Sequence, residues 1–226
     1  MGVTILINFP VENRSATQTI DLLSKRVIAL GAIAMGQFLV DCETFVSDAA
    51  QLGGTRTVHV LHNSEYPASV FSILDNGVKQ IPLITDGLFD LLMLKMTSVY
   101  SSKKQTKIES KGARYELGDF LIKLGSVTMS QNFKGILVEV DYRPCLVPAS
   151  CWNLIRECLQ GFLGSQVPNV IPQYFNTQIP SNVNPAIILT KANDMYQPID
   201  TIQQYLEHFT NYRKQTGSGA SIGIRN

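Results

Sequence analysis

The chain has 226 residues, 45% of them apolar and 16% charged, with a net charge of +1. That length holds one large domain or two small ones and buries a core without disulfides or metal. The near-neutral charge excludes a global field that would draw the protein onto nucleic acid or an anionic membrane; since charged residues make up about 25% of an average soluble domain, their scarcity points to surface covered by something else, such as a partner chain.

Residues 3–9, VTILINF, are rich in β-branched side chains and end at Pro10, so they read as a strand. Ser15 with Gln18 three positions on has the form of a capping box. Ile20, Leu23, Val27 and Leu30 then recur at helical spacing up to Gly31. Strands follow at 36–46, 56–62, 68–74 and 78–85. Asn76-Gly77 between the last two predicts a type I′ hairpin turn, and Pro82 predicts an edge or a bulge. Asp86 is placed to cap a helix over 87–100, which is apolar on almost every side and too short and interrupted to span a bilayer.

Three more strands are expected at 107–117, 119–129 and 135–143, with turns at Gly118 and in QNFKG. Pro148 opens a helix with Trp152, Ile155, Leu159 and Phe162 on one face, ended by Gly164. Pro168, Pro172, Pro180 and Pro185 mark 166–197 as a proline-rich loop or extension, and Pro198 opens a last helix with Ile202, Tyr205, Phe209 and Tyr212 inward. Residues 215–226 read as a flexible C-terminal tail. The expected fold is α+β: residues 1–226 form a single domain, a mostly antiparallel β-barrel of about eight strands with flanking helices.

The opening MGVTILINFP has no basic n-region, and its apolar stretch is short for secretion or membrane insertion. Leu6 breaks the myristoylation pattern that Gly2 would begin. Cys42, Cys145, Cys151 and Cys158 form no CxxC pair, so a reduced intracellular protein is expected, with Asn13–Ser15 an unused sequon. Lys103, Lys104, Lys107, Lys111 and Arg114, opposed by Glu109, lack interleaved aromatics and read as a solvated loop and strand edge, without direct sequence-specific nucleic-acid binding.

Alternation along a strand puts Asp41 and Glu43 on one face and Cys42 on the other. Glu139 and Asp141 likewise share a face, opposite Ile136, Val138, Val140 and Tyr142. Two acid-x-acid strands inside a barrel would suit a metal-dependent tunnel-type phosphohydrolase. The apolar face has the stronger claim on the interior, however, and of the cations such a tunnel needs, the strands offer only Lys123. The acids are therefore expected on the wet faces of the sheet. His59 and His62 point to opposite sides, and His208 lies on the last helix, so no metal is expected. Ser64 and Glu65 follow His62 without a GxSxG elbow, and Cys42 on an apolar face reads as packing. An apolar-ligand carrier, with a cavity inside the barrel, is a third reading.

The segments VDCETF (40–45), HNSEYP (62–67), TKIESKGARYELGDFLIKLGSVTM (106–129), EVDYRPC (139–145) and CWNLIRECLQGFLGS (151–165) resemble the Mediator complex subunit 20 family in the right order and over nearly the whole chain. The opening MGVT and the GIR at 223–225 fit as well, and the departure is 166–197. The resemblance implies a nuclear, non-enzymatic head-module subunit with no cofactor and a β-barrel related to the triphosphatase tunnels. It implies pairing with Mediator subunit 18, tethering through a helix of Mediator subunit 8, and an indirect link to RNA polymerase II and the initiation factors. Candidate partner-binding residues are Leu88, Leu92 and Met96 of the 87–100 helix, with Phe45 and Tyr66 as exposed aromatics. Core packing competes as the explanation of that helix.

Overall fold

The computed structural model describes residues 2–11, 14–47, 54–103, 106–169 and 195–217. These hold β1 (Val3–Phe9), α1 (Ala16–Ala29), β2 (Ile33–Ser47), β3 (Thr57–Asn63), β4 (Val70–Asp75), β5 (Gln80–Thr85), α2 (Leu88–Lys95) and β6 (Tyr100–Ser102). Then come β7 (Ile108–Leu117), β8 (Phe120–Met129), β9 (Asn132–Tyr142), α3 (Pro148–Leu163) with a 3₁₀ turn at Gly164–Gln166, and α4 (Pro198–Gly217). Most of the proline-rich extension, 170–194, and the tail from 218 onward lie outside the described residues.

Local chemistry sets most of these boundaries. The capping box forms: Gln18 N–H donates to Ser15 Oγ, and Ser15 N–H donates to Gln18 Oε1. Pro148 occupies the first turn of α3, and Gly164 stops that helix at φ +66°. The β8–β9 turn is Ser130-Gln131, both at positive φ, so β9 begins at Asn132 and takes in most of the expected QNFKG turn. At the β4–β5 hairpin only Gly77 has positive φ. Asn76 Oδ1 instead accepts from Val78 and Lys79 N–H, giving a four-residue loop in place of the expected type I′ turn.

The strands form an antiparallel sheet in the order β1-β9-β8-β7-β2-β3-β4-β5, with β6 also on β2. The sheet is open, which corrects the expected barrel: β1 and β5 end the order and do not pair with each other. Closure needs each edge strand to take a second neighbour, and β5 carries Pro82. Proline cannot donate to a ladder, so the edge anticipated at Pro82 is the end of the sheet.

Two compact units divide the chain. The first comprises Met1–Gln37, Ala113–Gly125 and Ile136–Thr201; the second comprises Phe38–Gly112, Ser126–Gly135 and Ile202–Asn226. In the first, Val3, Ile5, Ile122, Leu124, Val138 and Val140 pack with Leu23 and Val27 of α1 and with Trp152, Ile155, Leu159 and Phe162 of α3. Tyr115 and Ser24 hydroxyls bond at 2.9 Å, and Arg26 donates to the Phe162 carbonyl at 3.1 Å.

The other face of the same strands departs from expectation. Glu139, assigned to the wet face, is buried and accepts from Lys123 Nζ at 2.8 Å, both side chains being 5% exposed or less. Leu6, Leu121 and Leu137 are buried as well. The β1–β9 register places Leu6 opposite Glu139 and Leu137 two positions away, so this face is apolar too and the acid is enclosed with its cation. Asp141 is half-buried, and burial, with the charge of Glu139 next, pushes its carboxyl above the usual range.

Removing one member of a buried pair strands the other charge. Glu139→Ala and Lys123→Met are each expected to destabilise the protein by about 3–5 kcal/mol, while Lys123→Met combined with Glu139→Leu recovers most of that loss. Urea unfolding of the three variants measures it; a double variant no more stable than the singles would show that the pair is not the source of the effect.

Candidate partner-binding surface

Strand register in the second unit builds one sheet face from four strands. Asp41, Glu43 and Phe45 of β2 stand opposite His62, Val60 and Val58 of β3. Those three stand opposite Val70, Ser72 and Leu74 of β4, which meet Thr85, Leu83 and Ile81 of β5. Paired residues share a face, so ionic groups gather at the β2–β3 end nearer β7 and aliphatic ones toward the β5 edge. The opposite face carries Cys42, Thr44, His59, Leu61, Phe71 and Ile73, as the alternation at Cys42 required.

The α2 helix seats on the first of these faces. Met93 packs with Phe45, Val58, Val60 and Val70, and Phe89 packs beside them. Asp90, on the same side of the helix, accepts from His62 Nε2 at 3.1–3.2 Å. His62 Nδ1 donates to Asp41 Oδ1 at 2.8 Å, and Lys107 reaches Asp41 Oδ2 at 3.3 Å. The bond to Asp41 raises the His62 pKa, burial opposes it, and Asp90 adds to it, leaving the imidazole at about 9. Burial pulls the Asp41 carboxyl up, but His62 and Lys107 together hold it below the usual range. Glu43 accepts from the Ser102 hydroxyl of β6. Between α2 and the sheet lies a cavity of about 520 Å³, lined by Glu43, Phe45, Val60, His62, Met93 and Tyr100 among others.

The outward side of α2 is the apolar one. Leu88 is 67% exposed, Leu91 53%, Leu92 49% and Leu94 66%. The expected 87–100 helix is thus shorter than its apolar run, buries only Met93, and gives way to a turn and β6. Of the candidate contacts, Leu88 and Leu92 face outward and Met96 is half-buried at the helix end. Tyr66 is half-buried with its ring edge-on to Phe71. Phe45, expected to be exposed, is in the core under α2, because its register partner Val58 belongs to that cluster. Sequence reasoning missed Ile81, Leu83 and Asp90; the alternation in QIPLIT held the signal for the first two, whereas Asp90 needs the fold to bring it to His62.

The other reactive groups are engaged in structure. Arg213 of α4 donates to the Cys42 carbonyl and Sγ at 3.4 and 3.3 Å and to the Thr106 carbonyl at 3.1 Å. Burial raises the Cys42 thiol despite that guanidinium, and burial also lifts Cys151 to about 12 and Cys158 to about 11. Thiols so placed are poor nucleophiles, and all four cysteines are free. His59 bonds the Thr44 hydroxyl at 3.1 Å, and burial, then the charge of Arg213, lower it to about 4. No group of three metal-ligating side chains occurs among the described residues.

The family model described as TATA-binding related factor (TRF) of subunit 20 of Mediator complex matches residues 1–210. The chain is 72% identical over 216 residues to "Mediator of RNA polymerase II transcription subunit 20" of Aedes aegypti, covering 96% of each chain. It is 68% identical to that subunit of Anopheles gambiae over the full length of both, and 42% identical to that of Homo sapiens over 95% of this chain and 96% of the human one. Among solved structures, the PH1012 protein of Pyrococcus horikoshii OT3 is 11% identical with a TM-score of 0.43, over 73% of this chain and 90% of that one, a likeness too weak to bear on function.

The two histidines of this unit give opposite pH signatures. His62 gains its partners on folding, so its contribution is full below pH about 6.5 and is lost as pH rises through about 9. His59 is held neutral, so its contribution is full above about 6.5 and is lost as pH falls toward 4. Melting temperature across pH 4–10 is expected to lose its alkaline decline in His62→Gln and to keep its acid one. Hydrogen exchange of residues 88–95 in that variant is expected to rise at neutral pH; unchanged protection there would show that the imidazole does not hold α2.

Proposed function

We infer that this chain, which belongs to the Mediator subunit 20 family, works in Mediator by binding rather than by catalysis. It is a nuclear, structural subunit of the head module that pairs with Mediator subunit 18 and supports regulated transcription by RNA polymerase II. A helix of Mediator subunit 8 tethers that pair, and RNA polymerase II and the initiation factors are reached through the assembly.

The outward leucines of α2 carry this reading. A helix that turns its apolar side to solvent, next to an exposed apolar edge strand, is surface built to be covered. Burying each half-exposed leucine contributes about 1 kcal/mol, and an interface of about 1,200–2,000 Å² needs a centre of this kind. Leu88, Leu92 and Met96 are assigned as contacts, Tyr66 lies outside that patch, and Phe45 supports it from beneath. The bonding of the acids and thiols favours the same reading. Asp41 and Glu43 are taken up by His62, Lys107 and Ser102, Glu139 is taken up by Lys123, and Cys42 is buried.

Co-expression with Mediator subunit 18 is expected to give a one-to-one complex on gel filtration. Combining Leu88→Glu with Leu92→Glu should weaken that complex at least tenfold while leaving the melting temperature of the free chain unchanged, since both side chains already face water. Two separate peaks at micromolar concentration would defeat the pairing, and full affinity in the double variant would defeat the assignment of α2.

A further inference from the structure

β5 is exposed from Gln80 to Ile84, and its side chains divide between two faces. Ile81 pairs with Leu74 and Leu83 with Ser72, which puts both on the face where α2 sits; Ile84 pairs with Phe71 on the other. A sheet face is normally covered by a layer of helices or a second sheet. Here α2 is tied over β3 by Asp90 and Met93 and leaves Ile81 and Leu83 nearly half exposed. The second unit thus has an uncovered apolar strip on β5, outward of a helix whose own leucines are also bare.

The backbone of β5 limits what can cover that strip. Asn76 N–H donates to the Lys79 carbonyl, and antiparallel pairs alternate between bonded and non-bonded. Ile81 and Leu83 therefore bond to β4, while Gln80, Pro82 and Ile84 turn their backbone groups to the open edge. Pro82 has no N–H to offer, so a strand added there lacks its central bond and meets the ring. Its side-chain face carries no such block. Lys79 and Lys95, at the hairpin loop and the end of α2, are exposed and make no ion pair among the described residues.

We propose that the face at Ile81 and Leu83, beside α2, seats an amphipathic helix of a neighbouring Mediator subunit, with an apolar stripe at three- and four-residue spacing and acidic flanks, and not an added strand. This rests on the reading of the chain as a Mediator subunit. Such a helix completes the layer that α2 begins, and its acids meet Lys79 and Lys95.

The test uses the tagged chain assembled into Mediator, with a benzophenone amino acid placed singly at positions 81, 83, 84, 88 and 92. Positions 81 and 83 are expected to capture one segment of another subunit, at residues three, four or seven apart, and 84 is expected to leave that segment uncaptured. Captured residues two apart, capture from 84 in place of 81 and 83, or no capture from 81 and 83 would each overturn the proposal. Capture from 88 and 92 without 81 and 83 sinks this inference alone, whereas silence at 88 and 92 sinks the α2 assignment and leaves 81 and 83 to judge the helix. Pro82→Thr restores the missing donor. Incorporation into Mediator is expected to stay within about twofold, and a several-fold rise would favour strand addition.

Discussion

His62 stands on β3 between two carboxylates, one from the adjacent strand and one from α2, and the direction of every side chain on α2 follows from that bridge. Eight residues are too few for a helix to persist alone in water. Its N-cap, Gly87, supplies no side-chain bond, although Asp86 Oδ1 accepts from Leu88 N–H. Orientation therefore comes from the two residues that touch the sheet, Asp90 and Met93, three apart on one side. Leu88, Leu91 and Leu92 then fall on the opposite side with Lys95. The helix is therefore apolar on both sides: Met93 and Phe89 lie inward beside the Asp90 anchor, and a second apolar stripe of leucines faces outward.

Both acid-x-acid strands follow one rule in the two units. Alternation lines the carboxylates up on a face, the face is then covered in part or whole, and one acid of each pair, Asp41 or Glu139, is met by a cation from elsewhere in the chain, while Glu43 takes the Ser102 hydroxyl. In the second unit the cations are His62 and Lys107, at the border of the sheet face, where water still reaches them. In the first unit the cation is Lys123, almost fully enclosed with Glu139. The exposed pair sets the position of α2 at little energetic cost, because screening limits its strength. The enclosed pair cannot be broken cheaply, because either partner alone is a desolvated charge.

Elements defined by local chemistry were legible in the chain. The capping box at Ser15, the inward faces of α3 and α4, the Leu23 and Val27 face of α1, and the alternation through Asp41, Cys42 and Glu43 all follow from spacing alone, whereas Leu30, expected on that α1 face, is the C-cap and is exposed. Features that depend on what covers a face were not. Glu139 looked solvent-facing because its neighbours Val138 and Val140 are the more apolar set, yet Leu6, Leu121 and Leu137 make its own side a second interior. The apolar run at 87–100 looked like core, and nothing in its composition reveals that only Met93 is inward. Sheet closure is a long-range property, and hydrophobic patterning that permits a barrel equally permits an open sheet. At the β4–β5 hairpin, Asn76-Gly77 supplied the turn chemistry, but the Asn76 side chain bonded two backbone donors and set a longer loop.

The exposed end of the sheet also bears on how the chain survives before it is assembled. An edge strand with Ile81, Leu83 and Ile84 in the open invites pairing with another copy through its backbone. Pro82 removes one donor from the outward set and places a ring among them, so edge-to-edge growth is blocked while the side chains remain available. Pro82 at the end of the sheet therefore separates two kinds of association. It suppresses the strand pairing that any extended segment could supply, and it leaves the side-chain contacts that only a matched apolar surface can make. Specificity at this edge comes from what the backbone refuses as much as from what the leucines attract.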